Sequence, residues 1–184
     1  MNSIELMVEE HKNILRMLSV VRKASYGILK GNDICFEDFD QIIDFIRNYA
    51  DVHHHGKEEK FLFKEMVENL GPLGNKLVTH GMLVEHDFGR LFIQELNEAL
   101  QRVKDGDEMS KLDVIANAIS YIHLLKRHIE KEDSVVYTFA ERQLSPAILD
   151  KLNQQTVAFE KDAEDKGTQQ HYKNLLETLE SKYK

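Results

Sequence analysis

Residues 110–139 read SKLDVIANAISYIHLLKRHIEKEDSVVYTF. Val114, Ala118, Tyr121, Leu125, Val135, Val136 and Phe139 recur at the spacing of one buried face of a long helix. Ser110, with Asp113 three residues on, predicts a capping box at its start, and the helix is expected to end near Gln143. His128 and Glu132 fall inside that apolar series. Residues four apart sit one above the other on a helix, so an imidazole and a carboxylate point where only hydrocarbon is expected. Burying them is costly unless each is satisfied.

The rest of the chain reads in the same way. Ser3 is placed to cap a first helix whose stripe is Ile4, Met7, Val8, Ile14, Leu15, Leu18, Val21 and Ile28, and Gly31-Asn32-Asp33 stops it. A second helix is expected from about Phe36 to Glu68, ending at Asn69-Leu70-Gly71-Pro72. A third runs from about Leu73 to Lys104 and ends at Asp105-Gly106-Asp107. Ser145-Pro146 reads as an N-cap followed by proline at the first helical position, opening a fifth helix to about Ala163. Gly167-Thr168 precedes a last amphipathic piece with Tyr172, Leu175, Leu176, Leu179 and Tyr183. No strand is predicted. Four long helices with short loops imply an all-α, up-down-up-down four-helix bundle over residues 1–144, with the helices of residues 145–184 packed on its outside.

Composition narrows the function. The 184 residues carry 32 acidic and 24 basic side chains, a net charge of -8, which argues against a nucleic-acid backbone as partner. The single cysteine, Cys35, cannot form an internal disulfide and fits a reducing, cytoplasmic setting; it is read as incidental. No apolar run approaches a membrane span, and the first ten residues lack the pattern of a signal peptide. Histidine is the odd count, at nine.

Phase puts more of those histidines in the interior. His11 falls between Met7/Val8 and Ile14/Leu15. His54 and Glu58 align with Ile43, Ala50, Phe61 and Leu62, and His86 shares a face with Met82, Leu83 and Ile93. Height agrees. At the helical rise, His11 lies roughly 12 Å from the start of its helix and His86 roughly 20 Å from the start of the third. His54 and Glu58 lie roughly 18–24 Å from the end of the second, and His128 and Glu132 roughly 16–22 Å from the end of the fourth. In an up-down-up-down bundle those four termini share one end, so all six side chains fall in one layer. Four His and two Glu exceed one tetrahedral zinc. They suit two metal ions bridged by the two carboxylates, with iron, manganese or zinc compatible with the donors.

Other candidates rank lower. His53, His54 and His55 compete for one place; spacing to Glu58 favours His54, and His55 paired with Glu59 is the alternative. His80, with Leu77, Val84 and Phe88, reads as core or as a neighbour of the site. Tyr121 lies on the metal stripe and reads as core, with a redox role conceivable. Glu59 and Glu130 read as exposed or as groups that orient ligands. His123 and His171 read as solvated.

The chain resembles the hemerythrin-like, or HHE cation-binding, proteins. The carrying motifs are His11, His54-x-x-x-Glu58-Glu59 followed by Phe61-Leu62-Phe63, Glu85-His86-Asp87 with Gly89-Arg90, and His128-x-x-x-Glu132-Asp133, together spanning about residues 1–140. The resemblance implies a non-haem site of two iron ions with carboxylate and oxo or hydroxo bridging, zinc or manganese being possible substitutes. The oxygen-carrying members have a second histidine four residues from that of the third helix, where this chain has Met82 or Arg90. The pattern is more similar to the branch holding the iron-centre repair proteins, the mycobacterial hemerythrin-like proteins and the iron-sensing domain of an F-box protein. Two functions are expected from such a site. One is a di-iron oxidoreductase reducing O2 or peroxide, catalase-like or fed by an unknown electron donor, with no catalytic residue assigned beyond the metal centre. The other is an oxygen, nitric oxide or iron sensor, carrier or reservoir without turnover.

Overall fold

The computed structural model describes residues 2–184. The chain forms six long helices, and no strand occurs among the described residues. Helix α1 is Ser3–Leu29. Helix α2 covers residues 36–69, α3 residues 71–104 and α4 residues 111–143. Two further helices follow, α5 (Pro146–Asp165) and α6 (Thr168–Lys182).

Helix α1 packs beside α2 and α4, and α3 beside α2 and α4, which closes the four into an antiparallel ring. Helices α5 and α6 both lie against α1 and α2. Between α2 and α3 the chain reverses at Gly71, whose φ of 62° favours a residue without a Cβ. Three residues on, a Cβ at Gly74 would come within 2.6 Å of the Met66 carbonyl oxygen, so α3 starts hard against the end of α2.

The caps differ in part from the sequence expectation. Asn2, not Ser3, caps α1: its side chain accepts from the Glu5 amide at 2.9 Å, and the Glu5 carboxylate accepts from the Asn2 amide at 2.9 Å. Ser3 is instead the first helical residue, and its amide and hydroxyl both donate to Asn153 of α5, each at 2.8 Å. Ser110 makes no capping box; its hydroxyl donates to Asp107 at 2.7 Å, and Asp107 accepts from the Met109 amide at 3.1 Å. A single 3-10 turn, Glu108–Ser110, therefore starts α4 and takes over the capping. Ser145 and Pro146 open α5 as expected, with Ser145 accepting from the Ile148 amide.

Three of the four bundle helices are not plain α-helices. Wider, π-type winding occurs at Ile46–His55 and Glu58–Leu62 in α2, Val78–Met82 in α3 and Glu132–Val136 in α4. Such turns insert a residue into the helical ladder and re-aim the side chains around them. One consequence is that His80 is exposed, as are Val84 and Phe88 on the same face. The expectation of a core His80 thus fails: that apolar face of α3 looks outward. Val135 is likewise half-exposed.

The apolar interior is divided in two. One core gathers residues such as Leu18, Phe45, Ile93, Ala118 and Leu125, with Leu176 of α6. The other gathers Ile4, Met7, Leu62, Met66, Val136 and Tyr137, with Leu152 of α5. Chain position places the buried histidines and glutamates between the two.

Candidate metal centre

Six histidines are buried: His11, His53, His54, His55, His86 and His128. His123 and His171 are exposed, as expected, and so is Glu130. The six residues singled out from the sequence, His11, His54, Glu58, His86, His128 and Glu132, are all buried and brought together. They form two groups able to hold a cation. His11, His54, Glu58 and Glu132 make one; His55, Glu58, His86 and His128 make the other. Glu58 belongs to both, which puts the groups side by side.

His55 is the addition. It does not compete with His54 for one place; it enters the second group, stacked on His86 with ring centroids 3.8 Å apart. Regular α-helical spacing makes neighbouring residues diverge, so a single winner among three histidines was expected. The π-type winding of Ile46–His55 lets His54 and His55 both face the layer, while His53 is covered by Phe159 and Glu160 of α5.

All five imidazoles of the two groups are held in one manner. Nδ1 of His11 lies 2.8 Å from Asp133, that of His54 2.8 Å from Glu10, and that of His86 2.7 Å from Glu59. Nδ1 of His128 lies 2.9 Å from Glu85, and that of His55 3.3 Å from Asp51. A carboxylate accepts only, so it draws the single N–H of a neutral imidazole to Nδ1 and leaves a lone pair on Nε2. The Nε2 atoms turn inward: His11 and His54 face each other at 2.9 Å, and His86 and His128 at 3.1 Å. Two lone pairs at that distance repel, so a proton on one ring or a metal ion must lie between or beside them.

The carboxylates tell the same story. Glu58 and Glu132 have no solvent exposure. Tyr137 donates its hydroxyl to Glu58 Oε1 at 2.5 Å, but Glu58 Oε2 and both oxygens of Glu132 have no hydrogen-bond partner among the described residues. Orphaned buried carboxylate oxygens are rare and costly. In the bare protein, burial and the neighbouring Glu132 push the Glu58 carboxyl up. Burial opposes the charged form of Glu132 too, but the His128, His11 and His86 rings outweigh it and hold Glu132 well below the usual carboxylate range. A divalent cation in each group would meet the unpaired oxygens and the inward lone pairs together. On donor chemistry the residues fit a pair of such ions.

Tyr137 was not picked out from the sequence. It is fully buried in α4, and its ring lies parallel to that of His11 with centroids 5.7 Å apart. Tyr121, which the sequence did single out, is buried farther along α4 and lines a cavity beside His55. Glu85 and Asp133 stood in the quoted motifs without an assigned role, and Glu10 and Asp51 were missed. The sequence signal of those two is position: each falls one turn or less from a histidine of the layer.

Arg90 is the outer fastening of this set. Its guanidinium reaches Asp51 at 2.8 Å, Glu59 at 2.5 Å and Asp87 at 3.1 Å. It thereby ties the carboxylates behind His55 and His86 to one another.

An antiparallel four-helix bundle with a buried His/Glu layer split into two adjoining donor groups defines a class of cation-binding protein. The chain belongs to the hemerythrin HHE cation-binding domain family, whose domain matches residues 2–140. No match was found among curated proteins or solved structures. Helices α5 and α6 lie beyond the matched residues. No described helix is long and apolar enough to cross a membrane.

Proposed function

We propose that this layer holds two iron ions, with zinc or manganese as substitutes, and that the protein binds and reduces O2 or peroxide. The observation that carries the reading is the sharing of Glu58 between two donor groups whose carboxylate oxygens are otherwise unpaired. His11, His54, Glu58, His86, His128 and Glu132 are assigned as ligands, in the order of the six-ligand branch described above, and His55 is added to the second ion. That gives the second ion three imidazoles and the first two, so the two positions are inequivalent.

Held by these residues, two ferrous ions would supply the two electrons that cleaving a peroxide O–O bond to an alcohol or water, with two protons, requires, and an external reductant would restore them. The chain's own residues do the rest. The five Nδ1 carboxylates fix each imidazole in one tautomer and one rotation. Tyr137 holds a proton at its hydroxyl against Glu58, and burial followed by the Glu58 charge keeps that phenol protonated far above the usual range. The apolar cores above and below exclude bulk water from the layer.

Elemental analysis of the purified protein together with peroxide and O2 consumption by the iron-loaded form tests the reading. Two irons per chain and turnover abolished by Glu58→Ala or Glu132→Ala are expected. A single zinc, or folded protein with no metal affinity, overturns it. Reversible O2 binding without turnover replaces reduction by carriage or sensing.

A further inference from the structure

A cavity of about 280 Å³ opens from the surface down to the second donor group, where His55 and His86 form part of its wall. Buried Ile46, Ile93, Gly89 and Tyr121 make its floor, and half-exposed Val52 stands at its rim. That volume equals the share of about nine water molecules. O2 or hydrogen peroxide would fill only part of it. The lining is mainly apolar, so a full complement of waters would lack the partners each one needs.

Arg47, Asn48, Asp51 and Arg90 also line it. Tyr121 is 2% exposed and lines the cavity. A phenol in the wall of a cavity can donate to a ligand oxygen. Arg90 is already paired with Asp51, Glu59 and Asp87, and Arg47 stands with it in the lining.

We infer that this cavity takes a small, largely apolar, oxygenated organic molecule: an alkyl or aryl hydroperoxide as substrate, and its alcohol as product. The hydrocarbon body lies against Ile46, Ile93 and Gly89. The oxygens lie toward Tyr121 and His55, beside the second ion. This rests on the function proposed above and names its substrate class: ROOH takes up two electrons and two protons and leaves as ROH and water, the electrons coming from the metal pair and ultimately from the external reductant.

The test separates binding from turnover. The full chain is loaded with zinc, which carries no redox chemistry, and titrated with 2-phenyl-2-propanol while amide signals are followed by NMR. Shifts at Val52, Gly89 and Ile93 are expected. Tyr121→Phe should weaken binding by about 5- to 10-fold, the worth of one hydrogen bond. Gly89→Leu should block it, since a Cβ there has its nearest neighbour at 3.6 Å and the longer side chain has the cavity to enter. Absence of those shifts at millimolar probe, or equal binding by wild type and both variants, overturns the inference. If the probe binds as described but iron-loaded protein consumes no cumene hydroperoxide, the cavity stands and the reductase reading falls. If hydrogen peroxide is consumed and the probe does not bind, the cavity inference alone falls.

Discussion

Lys57, with no solvent exposure, sets its ammonium against Glu160 of α5 as well as Glu10 of α1. His53 Nε2 lies 3.2 Å from the same ammonium. Glu10 in turn holds His54 by its other oxygen, at 2.8 Å. A helix outside the HHE match thus reaches the candidate ligand His54 through a part-buried ion pair and a buried one.

Lys57→Met leaves buried Glu10 and half-buried Glu160 with only the His53 ring between them. Removing one partner of a buried ion pair costs about 3–5 kcal/mol, and urea unfolding should show a loss of that order. The double variant Lys57→Met/Glu160→Gln should recover part of it. An unchanged urea midpoint in the single variant would mean that the pairs contribute nothing.

Asp133→Asn and Glu85→Gln should each weaken one ion and spare the other. Asp133 stands behind His11 in the first group, and Glu85 behind His128 in the second. Loss of such an orienting partner costs about 10- to 100-fold in metal affinity. Chelator competition on each variant should resolve a weakened step and an unaltered one. Equal weakening of both steps would contradict two separate groups.

Stripping the metal should lower the melting temperature sharply. Each ion present at a hundred times its Kd adds about 2.7 kcal/mol, and a domain of this size shifts by about 2–4 °C per kcal/mol. Two ions therefore correspond to about 10–20 °C. Calorimetry before and after chelation measures it. Glu58→Ala should blunt the difference, since that residue serves both groups.

Acid should release the last helix. Asp38 of α2 accepts from Lys182 at 2.7 Å and from Tyr183 at 2.5 Å. Burial opposes its charge, but those hydrogen bonds outweigh burial and hold its carboxyl below the usual range. A carboxyl with a depressed folded value contributes stability above its unfolded pKa, near ~3.9, and loses it as pH falls through the folded value. Limited proteolysis within residues 168–182 should accelerate below about pH 4. Asp38→Asn should make cleavage fast at neutral pH and insensitive to acid.

The bundle was legible because its apolar stripes, breakers and short loops agree over long segments. The ligand layer was legible because His128 and Glu132 interrupt one of those stripes. What escaped depended on departures from regular winding. With a fixed helical period only one of His53, His54 and His55 could face inward, and His80 shared a face with apolar residues that turned out to be exposed. The orienting carboxylates escaped for another reason. Glu10 and Asp51 look like ordinary surface charge until the facing helix is in place, and Glu85 and Asp133, though in the quoted motifs, had no visible partner. Tyr137 was hidden in an apolar run, where its hydroxyl gives no sign of having a partner.

The division of the interior into two apolar cores has a consequence for how the bundle comes apart. Between them lies a plane of unpaired oxygens and opposed lone pairs. With cations in it, that plane joins α1, α2, α3 and α4 across the middle, and both ends must yield together. Without them, each end keeps only its own hydrophobic cluster, and opening can start at one and stop at the plane. Metal content then governs the cooperativity of unfolding, and amide exchange on the stripped protein should show the two ends protected to different degrees.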